Sequence, residues 1–449
     1  MKPSLILINP WIYDFAAYDL WSKPLGLLYL AAFLKNCGFQ IYLIDCLDAH
    51  HPLMIGDPSI KRPKRRLYGT GKYWRKEIPK PPPLKDIPRT YSIYGISRRV
   101  FEEELRSIQR PAAILVTSLM TYWYPGAIEV IALAKKNHPG VPVILGGIYA
   151  RLCNDLATRN SGADSVSTLT DPASLLRVLE DHDVHAPGPL LDSGPPPYPA
   201  FDLLGKIEYV CLLTSTGCPF RCPYCVSHFL NPQMSRRDPA EVLDEILYWH
   251  RNFGVRDFAF YDDALLISSD THLAILLEDI ERLRLDLRFH TPNALHVREV
   301  TADVATLMRR SGFRTIRLGL ETSDFSLHRN FGDKVAEGDF ERAVNNLLRT
   351  GFTRDQIGAY ILIGLPGQSV DSVMATVDFV DRVGATPYLS EYSPIPHTPL
   401  WEKAEGYSRY DLSEPLFHNN TLLPCWGEAQ LAALPRLKKR VLEIREKYR

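Results

Sequence analysis

Short apolar segments alternate with predicted helices along most of this 449-residue chain, and this alternation limits the folds it can adopt. The first part has strands predicted at 5–8, 41–45, 113–118 and 143–147, with helices at 25–37, 127–136 and 152–160. The second part has strands predicted at 208–215, 257–262, 286–291, 314–320, 356–364 and 387–394, with helices at 239–252, 270–284, 301–311, 337–350 and 369–383. Strands that are joined through helices form parallel sheets. The predicted fold class is therefore α/β, with an N-terminal doubly wound, Rossmann-like sheet and then a partial (β/α)6 barrel.

A segment rich in Pro and Gly separates the two parts and predicts a linker at 184–200. The predicted domains are therefore a Rossmann-like domain at 1–183 and a barrel at 201–396. The remaining residues, 397–449, predict a small C-terminal extension that ends in a charged amphipathic helix.

Three of the eight cysteines lie in one short segment, with the spacing C-x3-C-x2-C: Cys218, Cys222 and Cys225. An apolar strand is predicted just before them, and a glycine and two prolines keep the segment itself out of regular structure. Thiolates are the usual ligands of iron–sulfur clusters, and three of them leave one iron of a 4Fe–4S cube open. An open metal position is typical of catalytic sites. A zinc site completed by a distant Cys or His is the alternative.

Together with Tyr224 just before the last cysteine, this segment resembles the signature of radical S-adenosylmethionine (SAM) enzymes. The resemblance implies that the three cysteines bind a 4Fe–4S cluster, that SAM chelates the open iron, and that one electron cleaves SAM to a 5′-deoxyadenosyl radical. It places Tyr224 beside the adenine. It also implies a small-molecule substrate and an electron donor such as flavodoxin or ferredoxin.

In parallel barrels the working residues lie at the carboxyl ends of the strands. The polar and glycine residues predicted there are Asp262, Asp263, Asn293, Arg317, Glu321 and Gly364. The same resemblance, which covers nearly all of 208–396, implies that the region after the second strand, the Glu after the fourth and the glycine-rich end of the fifth contact SAM; the other two residues are candidates through their position. At one position the pattern departs from the family, since Tyr-Asp-Asp at 261–263 replaces the Gly-Gly-Glu of many members. Capping of a helix N-terminus is the alternative role for Asp263.

Ligands of doubly wound sheets also bind at the carboxyl ends of the strands. In the N-terminal domain the candidates at these positions are Asn9, Ser118, Thr121, Gly146 and Gly147. The segments 24–27, 38–45, 117–119 and 146–147 resemble the cobalamin-binding domain that often precedes a radical SAM domain. The resemblance implies cobalamin as a further cofactor.

One feature of those cobalamin domains is missing. The loop after the first strand contains no His, so we expect no cobalt ligand from the Asp-x-His-x-x-Gly motif. A flavodoxin-like domain without cobalamin is the alternative, because a fold does not dictate its ligand.

The first domain carries a basic insertion at about 51–96. Between residues 61 and 99 there are 13 Lys or Arg and two acids, a net charge of +11, with five interleaved aromatic residues. Such a segment can bind RNA through phosphate contacts and stacking. It can equally bind a small anion, or cover the fold.

The whole chain has a formal net charge of zero and a pI near 7.2, which indicates no general affinity for nucleic acid or membranes. Eight cysteines without a paired framework indicate a reducing compartment. No apolar signal core and no run of about 18 apolar residues is present, so we expect a cytoplasmic protein without a membrane span.

The functional hypothesis is a radical SAM enzyme that acts on an unknown substrate, with cobalamin assisting methyl transfer to carbon or a related rearrangement. One alternative is an RNA-modifying radical SAM enzyme that uses the basic insertion. The other is a non-enzymatic carrier or sensor of cobalamin or of an iron–sulfur cluster.

Overall fold

The computed structural model describes residues 2–169, 171–188, 197–328 and 332–448. The chain divides into two compact units, Met1–Glu208 and Tyr209–Arg449. The boundary lies eight residues beyond the predicted one, because Ala200 and Phe201 are buried within the first unit. The Ala200 N–H donates to the Leu28 carbonyl at 3.0 Å. Of the predicted linker, residues 189–196 lie outside the described part.

The first unit contains ten strands and seven α-helices in its described residues. The strands are β1 (Ser4–Asn9), β2 (Ile12–Asp14), β3 (Tyr18–Asp19), β4 (Gln40–Asp45), β5 (Gly71–Lys72), β6 (Arg75–Glu77), β7 (Ser92–Tyr94), β8 (Ala113–Val116), β9 (Val143–Leu145) and β10 (Ser165–Val166). The helices are α1 (Leu25–Asn36), α2 (Pro52–Ile55), α3 (Arg98–Ser107), α4 (Tyr124–Asn137), α5 (Ile148–Leu152), α6 (Asn154–Asn160) and α7 (Pro172–Glu180).

Five of these strands form one parallel sheet in the order β10-β9-β8-β1-β4. The apolar side chains of β1, residues 5–8, are completely buried, as expected for a parallel strand that is covered on both faces. This confirms the predicted doubly wound sheet. The strand order reverses between β1 and β8, and the ligand crevice of such sheets lies at that switch point.

The basic insertion is folded rather than extended. It contributes β5 to β7, which pair with β2 and β3 in two small antiparallel sheets. Four of its five aromatic side chains are at most 5% exposed: Tyr73, Trp74, Tyr91 and Tyr94. The insertion therefore forms part of the apolar core next to the main sheet.

The second unit contains nine strands and nine α-helices in its described residues. The strands are β11 (Val210–Leu212), β12 (Ser215–Thr216), β13 (Ser235–Arg236), β14 (Asp257–Phe260), β15 (Arg288–His290), β16 (Leu295–His296), β17 (Phe313–Glu321), β18 (Ile357–Ile363) and β19 (Thr386–Glu391). The helices are α8 (Ser227–Leu230), α9 (Pro239–Phe253), α10 (Leu273–Leu283), α11 (Ala302–Ser311), α12 (Phe325–His328), α13 (Asp339–Arg349), α14 (Val370–Val383), α15 (Trp401–Tyr407) and α16 (Glu428–Lys447).

Six strands of this unit form a parallel sheet in the order β11-β14-β15-β17-β18-β19, which confirms the predicted six βα repeats. In the described part of the chain no ladder joins β11 to β19, so the barrel is open between these edges. Helix α16 packs against β19 and α14. The C-terminal helix therefore covers the flank of the barrel beside β19.

Across the part of the chain that the structure describes, no helix is both long enough and apolar enough to cross a membrane.

Candidate functional site

The three cysteines lie in one loop at the carboxyl edge of the barrel, as predicted. The loop begins after β12, which pairs antiparallel with β13 and so closes the base of the loop. Gly217 adopts a φ of +80°, and a Cβ on it would lie 2.5 Å from the Gln233 carbonyl oxygen. Only glycine fits where the chain enters the cysteine loop.

The thiols differ in their surroundings. Cys225 is exposed, while Cys218 and Cys222 are partly buried. Burial raises the pKa of Cys218 to about 11, although the backbone hydrogen bond from Phe220 opposes this rise. The Ser227 N–H donates to the Cys225 sulfur at 3.4 Å. Because metals bind thiolates, loading of this site would release protons.

The chemistry of the donor set, three cysteine thiols on one loop, fits a 4Fe–4S cluster. Among the described residues, no group of three or more His, Cys, Asp and Glu side chains is close enough to hold one metal ion. A closed zinc site needs four ligands around one point. A 4Fe–4S cube spreads its thiolate ligands over several irons. Three thiols on one loop can therefore hold three irons of a cube and leave the fourth iron open.

Asp262 supports the base of the cysteine loop. Its buried carboxylate accepts hydrogen bonds from the N–H and the hydroxyl of both Thr214 and Ser215, with the shortest at 2.6 Å. Burial raises the pKa of Asp262, and these hydrogen bonds oppose the rise. The structure thus brings Asp262 to the site, with its oxygens directed at the chain that leads into the loop.

Asp263 and Asn293 lie beside Asp262. Asp263 accepts a hydrogen bond from the Ser227 hydroxyl, two residues beyond the last cysteine. No helix begins at Asp263, so the N-cap role is not observed. The Asn293 amide donates to the Tyr261 carbonyl at 2.8 Å. Asn293 thus joins the carboxyl ends of β15 and β14, whereas Asp263 contacts the first residue of α8.

Glu321 also lies at this edge, whereas Arg317 does not. Glu321 ends β17 with a φ of +67°. Arg317 lies four residues earlier in the same strand, about 13 Å away at the usual rise of a strand. Its guanidinium covers the Tyr388 ring at 4.3 Å from the centroid. The Arg317 N–H also donates to the hydroxyl of Thr291, which follows β15, at 3.2 Å.

Gly364 ends β18 in the predicted position. Its N–H donates to the Gln368 side-chain oxygen at 2.9 Å, and its φ is +91°. A Cβ there would lie 2.7 Å from the Leu423 side chain. The C-terminal extension thus packs directly over this strand end.

Sequence reasoning missed two contacts of the cysteine loop. The Phe220 ring stacks on His296 with centroids 4.5 Å apart. The Lys334 ammonium lies 5.7 Å from the centroid of the Tyr224 ring and 2.7 Å from Glu321 Oε1. Neither His296 nor Lys334 belongs to a recognisable motif, so no local signal could have identified them.

In the first unit, the predicted ligand residues follow the adjacent strands β1, β8 and β9. The Ser118 hydroxyl donates to the Gly146 carbonyl at 2.6 Å. Gly147 has a φ of +92°, and a Cβ on it would lie 2.3 Å from the Ser118 carbonyl. A Cβ on Gly146 would meet nothing nearer than 3.9 Å. The two glycines therefore differ: packing requires Gly147, whereas a Cβ on Gly146 would make only one ordinary van der Waals contact, with the Ser167 carbonyl oxygen.

Asn9 and Thr121 complete this edge. The Asn9 amide donates to Asp45 Oδ1 at 2.8 Å, and this hydrogen bond joins the carboxyl ends of β1 and β4. Burial raises the pKa of Asp45. Thr121 is 5% exposed at the start of a short helical turn. His50, which follows β4, has its Nε2 2.8 Å from Glu208 Oε2.

Comparison with known proteins gives concordant results. Residues 212–380 match the Radical SAM superfamily. An uncharacterised methyltransferase of Pyrococcus horikoshii is 25% identical over 325 residues, which cover 66% of this chain and 69% of the relative. The cytidylyl-2-hydroxyethylphosphonate methyltransferase of Streptomyces wedmorensis is 23% identical over 92% of this chain and 84% of the relative.

Among solved structures, the radical SAM methyltransferase TsrM from Kitasatospora setae, with tryptophan substrate and a SAM analogue bound, matches with a TM-score of 0.66. The match covers 99% of this chain and 89% of TsrM at 16% sequence identity. Both units of the chain therefore share their folds with that protein. The residues that match this superfamily include the cysteine loop at the carboxyl edge of the barrel, so the second unit of this enzyme contains a radical SAM domain at 212–380.

Proposed function

We propose that this enzyme uses SAM and cobalamin to transfer a methyl group, or to catalyse a related rearrangement, on a small-molecule substrate. The observation that carries the proposal is the presence in one chain of a three-cysteine barrel loop and a doubly wound sheet whose carboxyl edge carries the glycine pair Gly146 and Gly147. The two relatives described above, both named methyltransferases, support the methyl-transfer outcome.

In the second unit, Cys218, Cys222 and Cys225 would hold the cluster, which supplies the electron for the cleavage of SAM. Tyr224 would lie beside the bound SAM. Asp262 keeps the chain that leads into the loop in place through its hydrogen bonds to Thr214 and Ser215. The rigidity of this base matters, because a loose ligand set binds its cluster weakly.

In the first unit, Ser118, Gly146 and Gly147 would form the surface against which cobalamin lies. Gly146 permits close approach of a large flat ligand, since no side chain stands over the backbone there. The loop after β1 offers no His, so the cobalt would take no ligand from that loop. Cobalamin would serve as the methyl carrier.

The first experiment is anaerobic purification with cobalamin supplied, followed by the visible spectrum, an iron count and analysis of SAM products. We expect about four irons and one cobalamin per chain, with 5′-deoxyadenosine or methyl transfer from labelled SAM. A cluster without cobalamin would remove the cobalamin part of the proposal. SAM left intact by reduced, cluster-loaded protein would favour the carrier or sensor hypothesis.

RNA modification is a second candidate. The hairpin at 64–72 exposes Lys64, Arg66 and Lys72 together with Leu67, which is 72% exposed. The buried aromatic residues of the insertion are not available for base stacking. Only the positive charge of the insertion therefore favours RNA binding, and charge supports phosphate contacts without sequence preference.

The test of this candidate is the triple charge reversal Lys64→Glu, Arg66→Glu and Lys72→Glu. Arg65 is left intact because its guanidinium bonds Asp19 and Glu208 at 2.7 and 2.9 Å. Loss of tRNA binding by the triple variant, with iron content unchanged, would favour RNA as substrate. Equal binding by the wild type and the variant would eliminate this candidate.

A further inference from the structure

Lys334 is a buried cation beside the cysteine loop. It is 8% exposed, and its carboxylate partner is Glu321, which is 7% exposed. The two charged atoms are 2.7 Å apart. Burial lowers the pKa of Lys334 and the Glu321 carboxylate raises it, with a net value of about 12. The lysine is therefore charged at any physiological pH.

The chain holds this pair against the cysteines from two directions. Glu321 ends β17 with a positive φ, where the register of the ladder to β18 shifts. Gly332 lies so close to the cysteine loop that a Cβ on it would be 3.5 Å from the Cys222 nitrogen. Lys334 follows two residues later and faces the Tyr224 ring. The ammonium thus lies near the part of the ligand segment that contains Cys222 and Cys225.

A fold gains little stability from such a pair, because desolvation of two charges offsets most of their attraction. Its position has a different consequence. Reduction adds one negative charge to a cluster, and hydrogen bonds, net charge and solvent exposure around the cluster set its reduction potential. A buried cation stabilises the reduced form, and a buried anion destabilises it. Solvent screens the charges of a buried pair such as Lys334 and Glu321 less than it screens charges at an exposed position.

We propose that Lys334 acts on electron transfer through the cluster without being one of its ligands. Its positive charge raises the reduction potential of the cluster, and Glu321 limits this rise and holds the ammonium in place. The inference rests on the proposed function only in requiring that the three cysteines bind a redox-active cluster.

The experiment is an EPR-monitored redox titration of the cluster-loaded full-length chain. Lys334→Met should lower the potential, so that the ratio of reduced to oxidised cluster at a fixed solution potential falls about tenfold, or about 59 mV for one electron. Glu321→Gln should move the potential in the opposite direction. The double variant should return close to the wild type, and Lys334→Arg should keep the wild-type value.

Glu337→Gln is the matched control. It removes an exposed carboxylate three residues from Lys334, where solvent screens the charge, and should leave the potential unchanged. Iron content and thermal unfolding are measured for each variant. If Lys334→Met fails to load iron, the reduction potential of Glu321→Gln tests the proposal by itself: a higher potential supports it, and an unchanged or lower one contradicts it.

Shifts in the same direction for both single variants, or no shift in either, would overturn the proposal, because a purely structural ion pair gives no opposite signs. Failure of the wild-type chain to load any iron would instead refute the function proposed for the cysteines. The two failures are therefore distinguishable.

Discussion

Asp262 shows how one residue can organise a site without being a ligand of its metal. Its carboxylate is 2% exposed and accepts hydrogen bonds from two consecutive residues, Thr214 and Ser215. A buried carboxylate is tolerated only when its oxygens accept hydrogen bonds. The buried donors of those hydrogen bonds in turn need the carboxylate as their acceptor. The residues just before the cysteine loop are therefore fixed by an interaction with a different strand.

Asp262→Ala should destabilise the second unit and weaken cluster binding. It leaves the Thr214 and Ser215 donors without their acceptor, which costs about 3 kcal/mol. We expect a lower melting temperature and less iron per chain after reconstitution. Asp270→Ala removes an exposed carboxylate from a nearby turn and is the control. Equal iron content in Asp262→Ala and Asp270→Ala would show that the loop does not depend on this carboxylate.

His418 predicts how stability depends on pH. Burial lowers its pKa from 6.5 to about 4, while the hydrogen bond to the Leu412 carbonyl opposes this change. Between these two values the unfolded chain binds more protons than the folded chain, so stability falls as the pH falls. The full effect amounts to about 3 kcal/mol.

His418→Gln should therefore flatten the dependence of unfolding free energy on pH between 6.5 and 4, because glutamine can still donate to Leu412 but does not titrate. Denaturant unfolding at several pH values measures this slope. Parallel curves for the wild type and the variant would exclude His418 as the source of acid sensitivity.

At the scale of elements, helix α16 covers the open flank of the barrel. Its buried residues are Leu437, Val441 and Ile444, and it packs on β19 and α14. Arg440 bonds Asp378 at 2.8 Å on α14, so polar contacts flank the apolar face. An edge strand such as β19 needs such a cover, because its unpaired backbone groups can otherwise pair with another chain.

Leu437→Ala should destabilise the protein by about 2–5 kcal/mol, since it creates a cavity at a completely buried position. Leu442→Ala changes the same residue type on the same helix at a position that is 55% exposed, and should cost less than about 0.5 kcal/mol. Thermal unfolding compares the two variants. Equal melting temperatures would mean that α16 does not stabilise the barrel.

At the scale of the whole molecule, two compact units each carry their own candidate cofactor site. The cysteine loop belongs entirely to the second unit, and the carboxyl edge with Ser118, Gly146 and Gly147 belongs to the first. Each site is supported by contacts within its own unit. Under the proposed function, loading of one cofactor should therefore be separable from loading of the other.

Cys222→Ser should abolish iron loading of the full-length chain and leave cobalamin binding intact. Gly146→Val should do the reverse, because the added side chain would stand over the backbone that cobalamin would approach, while its Cβ would meet no protein atom closer than 3.9 Å. Iron analysis and the cobalamin absorbance of each purified variant provide the measurement. Loss of both cofactors in either variant would contradict independent loading.

Local patterns were sufficient to predict the fold class and the position of the cysteine site. Short apolar segments such as residues 5–8, with helical patterns between them, identify a parallel sheet. Each of these patterns lies within a short stretch of sequence. The C-x3-C-x2-C spacing and the glycine before it are likewise local. The domain boundary was less predictable, since residues 200–208 join the first unit through burial of Phe201 rather than through any change in composition.

The sequence alone determined the features that a short stretch of chain encodes, namely the apolar strand segments and the C-x3-C-x2-C spacing of the cysteines. Only the tertiary structure decided that Phe220 stacks on His296, that Lys334 pairs with Glu321 beside the cysteines, and that Arg317 covers the Tyr388 ring. It also showed that the aromatic residues of the basic insertion are buried. The physical reason is that burial and pairing of charges depend on groups far apart in the chain, which a sequence pattern of short range does not encode.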